Sequence, residues 1–294
     1  TNGDLIWEFR WDQRPGAPLP ARGAARSRSR SIRNMAMFGE RLFHFTPDRH
    51  LIALNIRTGT LVWSVQETAA GIGHMAGPMI ADGKIISGRS CAASGGPEIC
   101  YIAAQSPDDG RELWRVRIIP RPGEPGDETW GGLPYERRVH VGAWGFGSYD
   151  PKLRLLYWGT SVPAPSLERL RGTVGQDVLF SNSTLAIDVR TGRVVWHYQH
   201  LPRDNWDLDH VFERILVDTA VAPDAKAVRW INPRLRPGET RPIDTGIPGK
   251  TGIVYTLDRK TGEFLWARET IYQNVVKDID PASGRVSIDE SLVT

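Results

Sequence analysis

The chain has 294 residues, two cysteines, and a net charge of +3 from 37 Lys and Arg against 34 Asp and Glu. That length allows a sizeable core, and the near-balanced charge gives no electrostatic case for a nucleic-acid partner. No apolar run approaches the ~18 residues a membrane span needs.

Read from the N-terminus, the sequence spells a glycine followed four residues later by tryptophan five times: Gly3 and Trp7, Gly59 and Trp63, Gly110 and Trp114, Gly192 and Trp196, Gly262 and Trp266. The first copy, Asn2-Gly3-Asp4-Leu5-Ile6-Trp7, is truncated. The others follow an apolar run that ends in a polar turn, as in Asp188-Val189-Arg190-Thr191-Gly192. Asn or Asp caps such a turn, and glycine takes the positive-φ position that closes it. The returning strand then presents a broad indole to the next sheet. Repeats at this scale predict stacked four-stranded blades rather than a sandwich, with room for some four or five at about 50 to 60 residues each.

The stretch from Gln13 to Gly39 holds Arg14, Arg22, Arg26, Arg28, Arg30 and Arg33 with no acidic residue. With little aromatic interleaving it reads as a solvated loop carrying one or two functional arginines. Strands are predicted at residues 35–38, 42–45, 51–54 and 60–64, making a first blade. A second blade is expected over residues 75–117. Within it, Cys91 and Cys100 bracket a short flexible loop. A disulfide there would add about 2 to 3 kcal/mol and imply an oxidising compartment; two free thiols are the alternative. A third blade is expected from residues 144–160 with 185–198, and a last one beginning near Ile253. Residues 118–138, 161–182 and 232–250 read as long irregular loops, the usual carriers of binding residues. The end at Ser291-Leu292-Val293-Thr294 shows no closing motif, so the chain is expected to be part of a ring, with blade edges exposed and weak stability alone.

Three segments carry chemistry. Asn205-Trp206-Asp207-Leu208-Asp209-His210 sets two carboxylates beside an indole, Ile247-Pro248-Gly249-Lys250-Thr251-Gly252 puts a lysine in a glycine-flanked turn, and Ala143-Trp144-Gly145-Phe146-Gly147-Ser148-Tyr149-Asp150 presents a tryptophan among glycines. Together with Tyr157-Trp158-Gly159-Thr160-Ser161-Val162-Pro163-Ala164-Pro165 and Gly252-Ile253-Val254-Tyr255-Thr256-Leu257-Asp258-Arg259, they resemble the pyrroloquinoline quinone (PQQ)-dependent alcohol dehydrogenases. The resemblance runs from Trp7 onward and implies an all-β, eight-bladed β-propeller. This chain would supply about half of it, as one partial propeller over residues 1–294.

The resemblance also implies roles. Asp207 matches the catalytic base and Lys250 the cation on the quinone oxygens. Trp144 matches the indole floor under the planar cofactor, and Arg33 the arginine at its carboxylate edge. A calcium or lanthanide ion would be held by Glu98, Asp207 and Asp209; Val162 stands where the family has a ligating asparagine, with Ser161 or Thr160 as substitutes. Ser27-Arg28 replace the adjacent cysteines that form a lid over PQQ. The Cys91–Cys100 loop is then either a different cap over the site or a surface staple. The expected partners are a small alcohol and cytochrome c or a similar electron acceptor, with no nucleic acid and no stable membrane insertion, in the periplasm or otherwise exported. The missing lid favours a bulkier substrate. A catalytically inactive propeller acting as a binding scaffold is the rival reading.

Overall fold

The computed structural model describes residues 2–11, 32–66, 74–91 and 93–293, so the Ser27-Arg28 position and Arg14, Arg22, Arg26 and Arg30 lie outside the described residues. Four antiparallel sheets follow one another along the chain. The first holds β1 (Ala36–Phe38), β2 (Arg41–Phe45), β3 (His50–Asn55) and β4 (Leu61–Gln66). The second holds β5 (Met79–Ala81), β6 (Lys84–Gly88), β7 (Tyr101–Gln105) and β8 (Glu112–Arg117), and the third β9 (Gly147–Asp150), β10 (Leu155–Gly159), β11 (Ser183–Asp188) and β12 (Val194–Gln199). The fourth starts at β13 (Ile215–Val221); β14 (Trp230–Ile231) lies outermost in it, beyond β15 (Glu239–Gly246), β16 (Ile253–Asp258) and β17 (Phe264–Glu269). A separate hairpin, β18 (Val276–Ile279) and β19 (Val286–Ile288), packs on the core shared by blades three and four. Among the described residues, Glu168–Arg171 is the one α-helical turn, and no helix is long and apolar enough to cross a membrane.

The third strand of each blade is covered on both faces, which is why these strands read as apolar runs rather than alternating ones. In β7 all of Tyr101, Ile102, Ala103, Ala104 and Gln105 are buried, whereas the outer strand β4 is largely exposed or half-buried. Neighbouring blades supply the second cover, so the cores lie between sheets: Ile102, Leu156 and Trp158 fall in one shared core, Tyr157, Leu257 and Phe264 in another.

The glycine–tryptophan repeat makes these seams. The first four indoles each lie against the repeat glycine of the following blade and donate their N–H to the carbonyl three residues before that glycine. Trp7 bonds Ile56 O at 2.9 Å, Trp63 bonds Pro107 O at 3.2 Å, Trp114 bonds Val189 O at 2.9 Å and Trp196 bonds Arg259 O at 3.2 Å. The glycines Gly59, Gly110, Gly192 and Gly262 have φ of 71°, 75°, 73° and 78°, and the ring of the docked tryptophan leaves no room for a Cβ. At Gly192 an added methyl would sit 2.8 Å from Trp114 Cδ2. Gly192→Ala therefore combines left-handed backbone strain with overpacking and should cost about 1–3 kcal/mol. A urea unfolding midpoint that stays unchanged would count against this reading of the seam.

The sequence misplaced one blade. The fourth begins at Ile215, not near Ile253, and the expected loop 232–250 contains β15. Its strand Glu-Thr-Arg-Pro-Ile-Asp-Thr-Gly is polar and carries Pro242, which ordinarily argues against a strand. Pro242 lies just outside the ladder to β16, which starts at Ile243 paired with Asp258, so its missing N–H is tolerated there.

Topology sorts the functional segments to one end. First strands begin, and second strands finish, at the end opposite the tryptophan-docking turns. Arg33 precedes β1, Trp144 precedes β9, residues 204–212 precede β13, and Lys250 follows β15.

Candidate active site

The segment before β13 is shaped by a buried carboxylate. Asp204, fully buried, accepts the Trp206 N–H through Oδ1 and the Leu208 N–H through Oδ2, both at 2.8 Å, and Oδ2 also takes the Asn182 amide at 2.8 Å. These bonds flank Asp207 and hold it at φ 64°, a left-handed conformation that Asp and Asn tolerate better than other residues. The Asp207 side chain is left 64% exposed. Removing the Asp204 carboxylate strands three donors, each worth about 1–3 kcal/mol when buried and unpaired. Asp204→Ala should thus lower the urea midpoint clearly; a loss no larger than that of an exposed surface aspartate such as Asp224 would rule out this role.

Beyond Asp207 the backbone is laced to two other segments. His210 N–H bonds Thr160 O at 3.3 Å, Lys250 N–H bonds Asp209 O at 3.1 Å, and Phe212 N–H bonds Pro248 O at 3.0 Å. Two glycines make this approach possible: a Cβ at Gly159 would lie 2.2 Å from His210 O, and one at Gly249 2.3 Å from Asp209 O. The result places the Lys250 ammonium 2.8 Å from Asp209 Oδ2, 2.8 Å from the Asp207 carbonyl and 3.5 Å from Asp207 Oδ1. Burial is the largest single influence and works against that charge, but the hydrogen bonds and negative charges of Asp209 and Asp207 together outweigh it and raise the Lys250 pKa above its ordinary value.

The same segment reaches Trp144 at its other end. Phe212 meets the Trp144 ring edge-on at 6.3 Å, and the Arg33 guanidinium lies 5.4 Å from that ring's centroid. Residues 207–212 therefore join two groups, Asp207–Asp209–Lys250 and Trp144–Phe212–Arg33. Glu98 is not drawn into either. Its carboxylate accepts from Arg121 Nε at 2.8 Å and Tyr135 Oη at 2.7 Å. Cys91 and Cys100 are joined in a disulfide, and both are buried in the core with Ile118 and Trp130. The bridge is therefore a buried clamp on its loop rather than a surface staple.

Behind the segment lies a polar cluster that sequence reading missed. His200 and His210 stack at 5.3 Å with nearly parallel rings, His200 Nε2 is 2.7 Å from Thr184 Oγ1, and Arg214 donates to the same hydroxyl at 3.1 and 2.7 Å. Burial and the Arg214 charge hold both imidazoles neutral, His210 at about 3, while burial pushes Asp244 up to about 7. His200 and Arg214 sit outside any motif, so only their convergence in space reveals them.

A family model described as the glucose/ethanol/alcohol dehydrogenase β-propeller domain, of the PQQ type, matches residues 2–277. The chain belongs to this PQQ β-propeller family. It is 30% identical over 308 residues to the dehydrogenase subunit of a quinone alcohol dehydrogenase from Gluconobacter oxydans, covering 97% of this chain and 38% of that protein. The quinoprotein alcohol dehydrogenase PedH of Pseudomonas putida is 31% identical over 252 residues, 79% of this chain and 38% of its own length. Among solved structures, the quinohemoprotein alcohol dehydrogenase of Comamonas testosteroni superposes with a TM-score of 0.74 at 27% identity, over 89% of this chain and 38% of that one. A europium-containing methanol dehydrogenase gives 0.69 at 26% identity, over 88% and 45%. The chain thus spans well under half the length of these relatives.

The residues present fit the family's quinone. A half-buried indole face at Trp144, with cations at Arg33 and Lys250, suits a flat, multiply anionic molecule. They do not fit the hard cation that the resemblance implies. Val162 is buried and its N–H occupies Asp209 Oδ1 at 3.0 Å, while Lys250 occupies Oδ2. Thr160 Oγ1 donates to Phe180 O and Ser161 Oγ to His140 O, so both substitutes are committed to backbone. Among the described residues no three His, Cys, Asp or Glu side chains converge as a metal requires.

Proposed function

We propose that the protein containing this chain oxidises an alcohol to an aldehyde or ketone with PQQ, at the end of the propeller where Asp207, Lys250, Trp144 and Arg33 gather. Bound PQQ supplies the two-electron acceptor for the hydride leaving the alcohol carbon. Asp207 takes the hydroxyl proton, since its carboxylate is exposed and the backbone that carries it is held by Asp204. Lys250 brings positive charge beside that carboxylate and toward the oxygens that gain electron density. Trp144 provides the stacking floor, and Arg33 the counter-charge for a carboxylate edge. The single observation that carries the reading is the 207–212 segment, which ties the base and the lysine to the Trp144 ring through Phe212.

The relatives named quinohemoproteins favour a haem protein such as cytochrome c as electron acceptor, and the Cys91–Cys100 bridge favours an oxidising, exported compartment such as the periplasm. The test is dye-linked oxidation of a panel of alcohols by the full-length gene product, with and without added PQQ. Turnover that needs PQQ is expected. A folded protein that binds PQQ but turns over no alcohol would instead favour the inactive scaffold.

A further inference from the structure

Both carboxylate oxygens of Asp209 are already taken from within the chain, and Asp207 shares the same lysine. Lys250 is the only cation in contact with either carboxylate among the described residues, and it reaches both: Asp209 Oδ2 at 2.8 Å and Asp207 Oδ1 at 3.5 Å. Its third acceptor is the Asp207 carbonyl at 2.8 Å. That matches the three N–H donors of an ammonium group. The second oxygen of Asp209, whose side chain is 6% exposed, is held by the Val162 N–H at 3.0 Å.

A calcium-class ion needs six to eight oxygen ligands. Here the neighbouring position offers the isopropyl group of Val162, the two adjacent hydroxyls face backbone carbonyls, and Glu98 is paired with Arg121. An incoming cation would have to expel the lysine or sit against its charge.

We infer that the resident cation of this site is the Lys250 ammonium, and that the site takes no divalent or trivalent ion. The role of that cation toward the quinone rests on the proposed function; the exclusion of metal rests on the donor geometry alone.

The inference is tested on the full-length protein after chelation, by titration with terbium(III) read as tryptophan-sensitised luminescence, with Trp206 next to the site. Wild type should show no saturable terbium site that Asp209→Asn removes. Lys250→Gln, which frees both carboxylates, should gain one, tighter by about tenfold or more than any wild-type signal, and lose it again when Asp209→Asn is added. Stoichiometric terbium or calcium binding by wild type that disappears in Asp209→Asn would overturn the inference, as would Lys250→Gln failing to gain binding. Should Asp209→Asn not fold, Asp207→Asn, with its exposed side chain, takes its place. PQQ affinity, read by quenching of tryptophan fluorescence, should be the same in chelator and in calcium; an absolute need for calcium would also overturn it. If PQQ binds under neither condition, the proposed function fails, while the terbium result still decides the metal question.

Discussion

Replacing Asp207 by asparagine is expected to lower alcohol turnover of the full-length protein by roughly 10²–10⁴, the range over which a positioned general base acts. The substitution is informative because little else should change. Asparagine tolerates the left-handed backbone found at this position, and the bonds that shape the turn come from Asp204 to the N–H groups of Trp206 and Leu208. Lys250 keeps its bonds to Asp209 and to the carbonyl of residue 207. Affinity for PQQ and the unfolding midpoint should therefore stay near wild type, with the loss falling on kcat. A variant that keeps more than a tenth of wild-type kcat would remove Asp207 from the role of base. A variant that instead loses PQQ would show that Asp207 holds the cofactor.

The parts of the molecule that sequence made legible are those where one residue type can do one job. A flat indole suits the gap between blades and glycine the positive-φ turn before it, so the blade repeat could be read from spacing alone. The structure adds what spacing did not give: the indoles of Trp7, Trp63, Trp114 and Trp196 each bond the carbonyl three residues before the next repeat glycine. Asp207, Lys250 and Trp144 could be singled out as candidates only through the family resemblance, which their short motifs near strand ends carry. Strand β15 was not legible, because a strand flanked by sheet neighbours can be polar and its proline falls just outside the ladder to β16. The Asp280–Gly284 turn of the last hairpin was also missed. It repeats the docking turn, with Gly284 N–H on Asp280 O, but no tryptophan follows four residues on. Asp204 and the His200–His210–Arg214 cluster act through burial and backbone bonds, which carry no spacing signature. For the metal, matching positions suggested Glu98, and only the coordinates show that its carboxylate is taken by Arg121 and Tyr135.

The seam between blades three and four departs from the others, and it carries the second large expected effect. At the residue whose carbonyl receives the indole, the earlier seams have Ile56, Pro107 and Val189, whereas here it is Arg259. Its carbonyl accepts both Trp196 Nε1 and Tyr157 Oη, and its buried guanidinium bonds Asp150 at the end of β9, Asp218 on β13 and the Val217 carbonyl at 2.9 Å. One residue thus ties the inner strands of two blades to their docking turn. Arg259→Met removes one partner of a buried ion pair, and should cost about 3–5 kcal/mol because Asp150 is left without its counter-charge.

The pH dependence gives the sign that separates this from simple loss of packing. Burial alone would raise the Asp150 pKa, but the Arg259 hydrogen bond and the N–H groups of Leu153 and Lys152 outweigh it, so the folded value lies below the ordinary one. Such a group contributes stability above the unfolded carboxyl pKa and loses it as pH falls through the folded value. In Arg259→Met the depression is removed, so the gap to wild type in urea unfolding of the full-length protein should be widest near neutrality and narrow below about pH 4. A gap that does not vary with pH would assign the loss to packing alone. Asp150→Asn combined with Arg259→Met should recover part of the stability at neutral pH. The double variant leaves no buried charge unpaired, while the introduced amide oxygen can still accept from the Lys152 and Leu153 N–H groups.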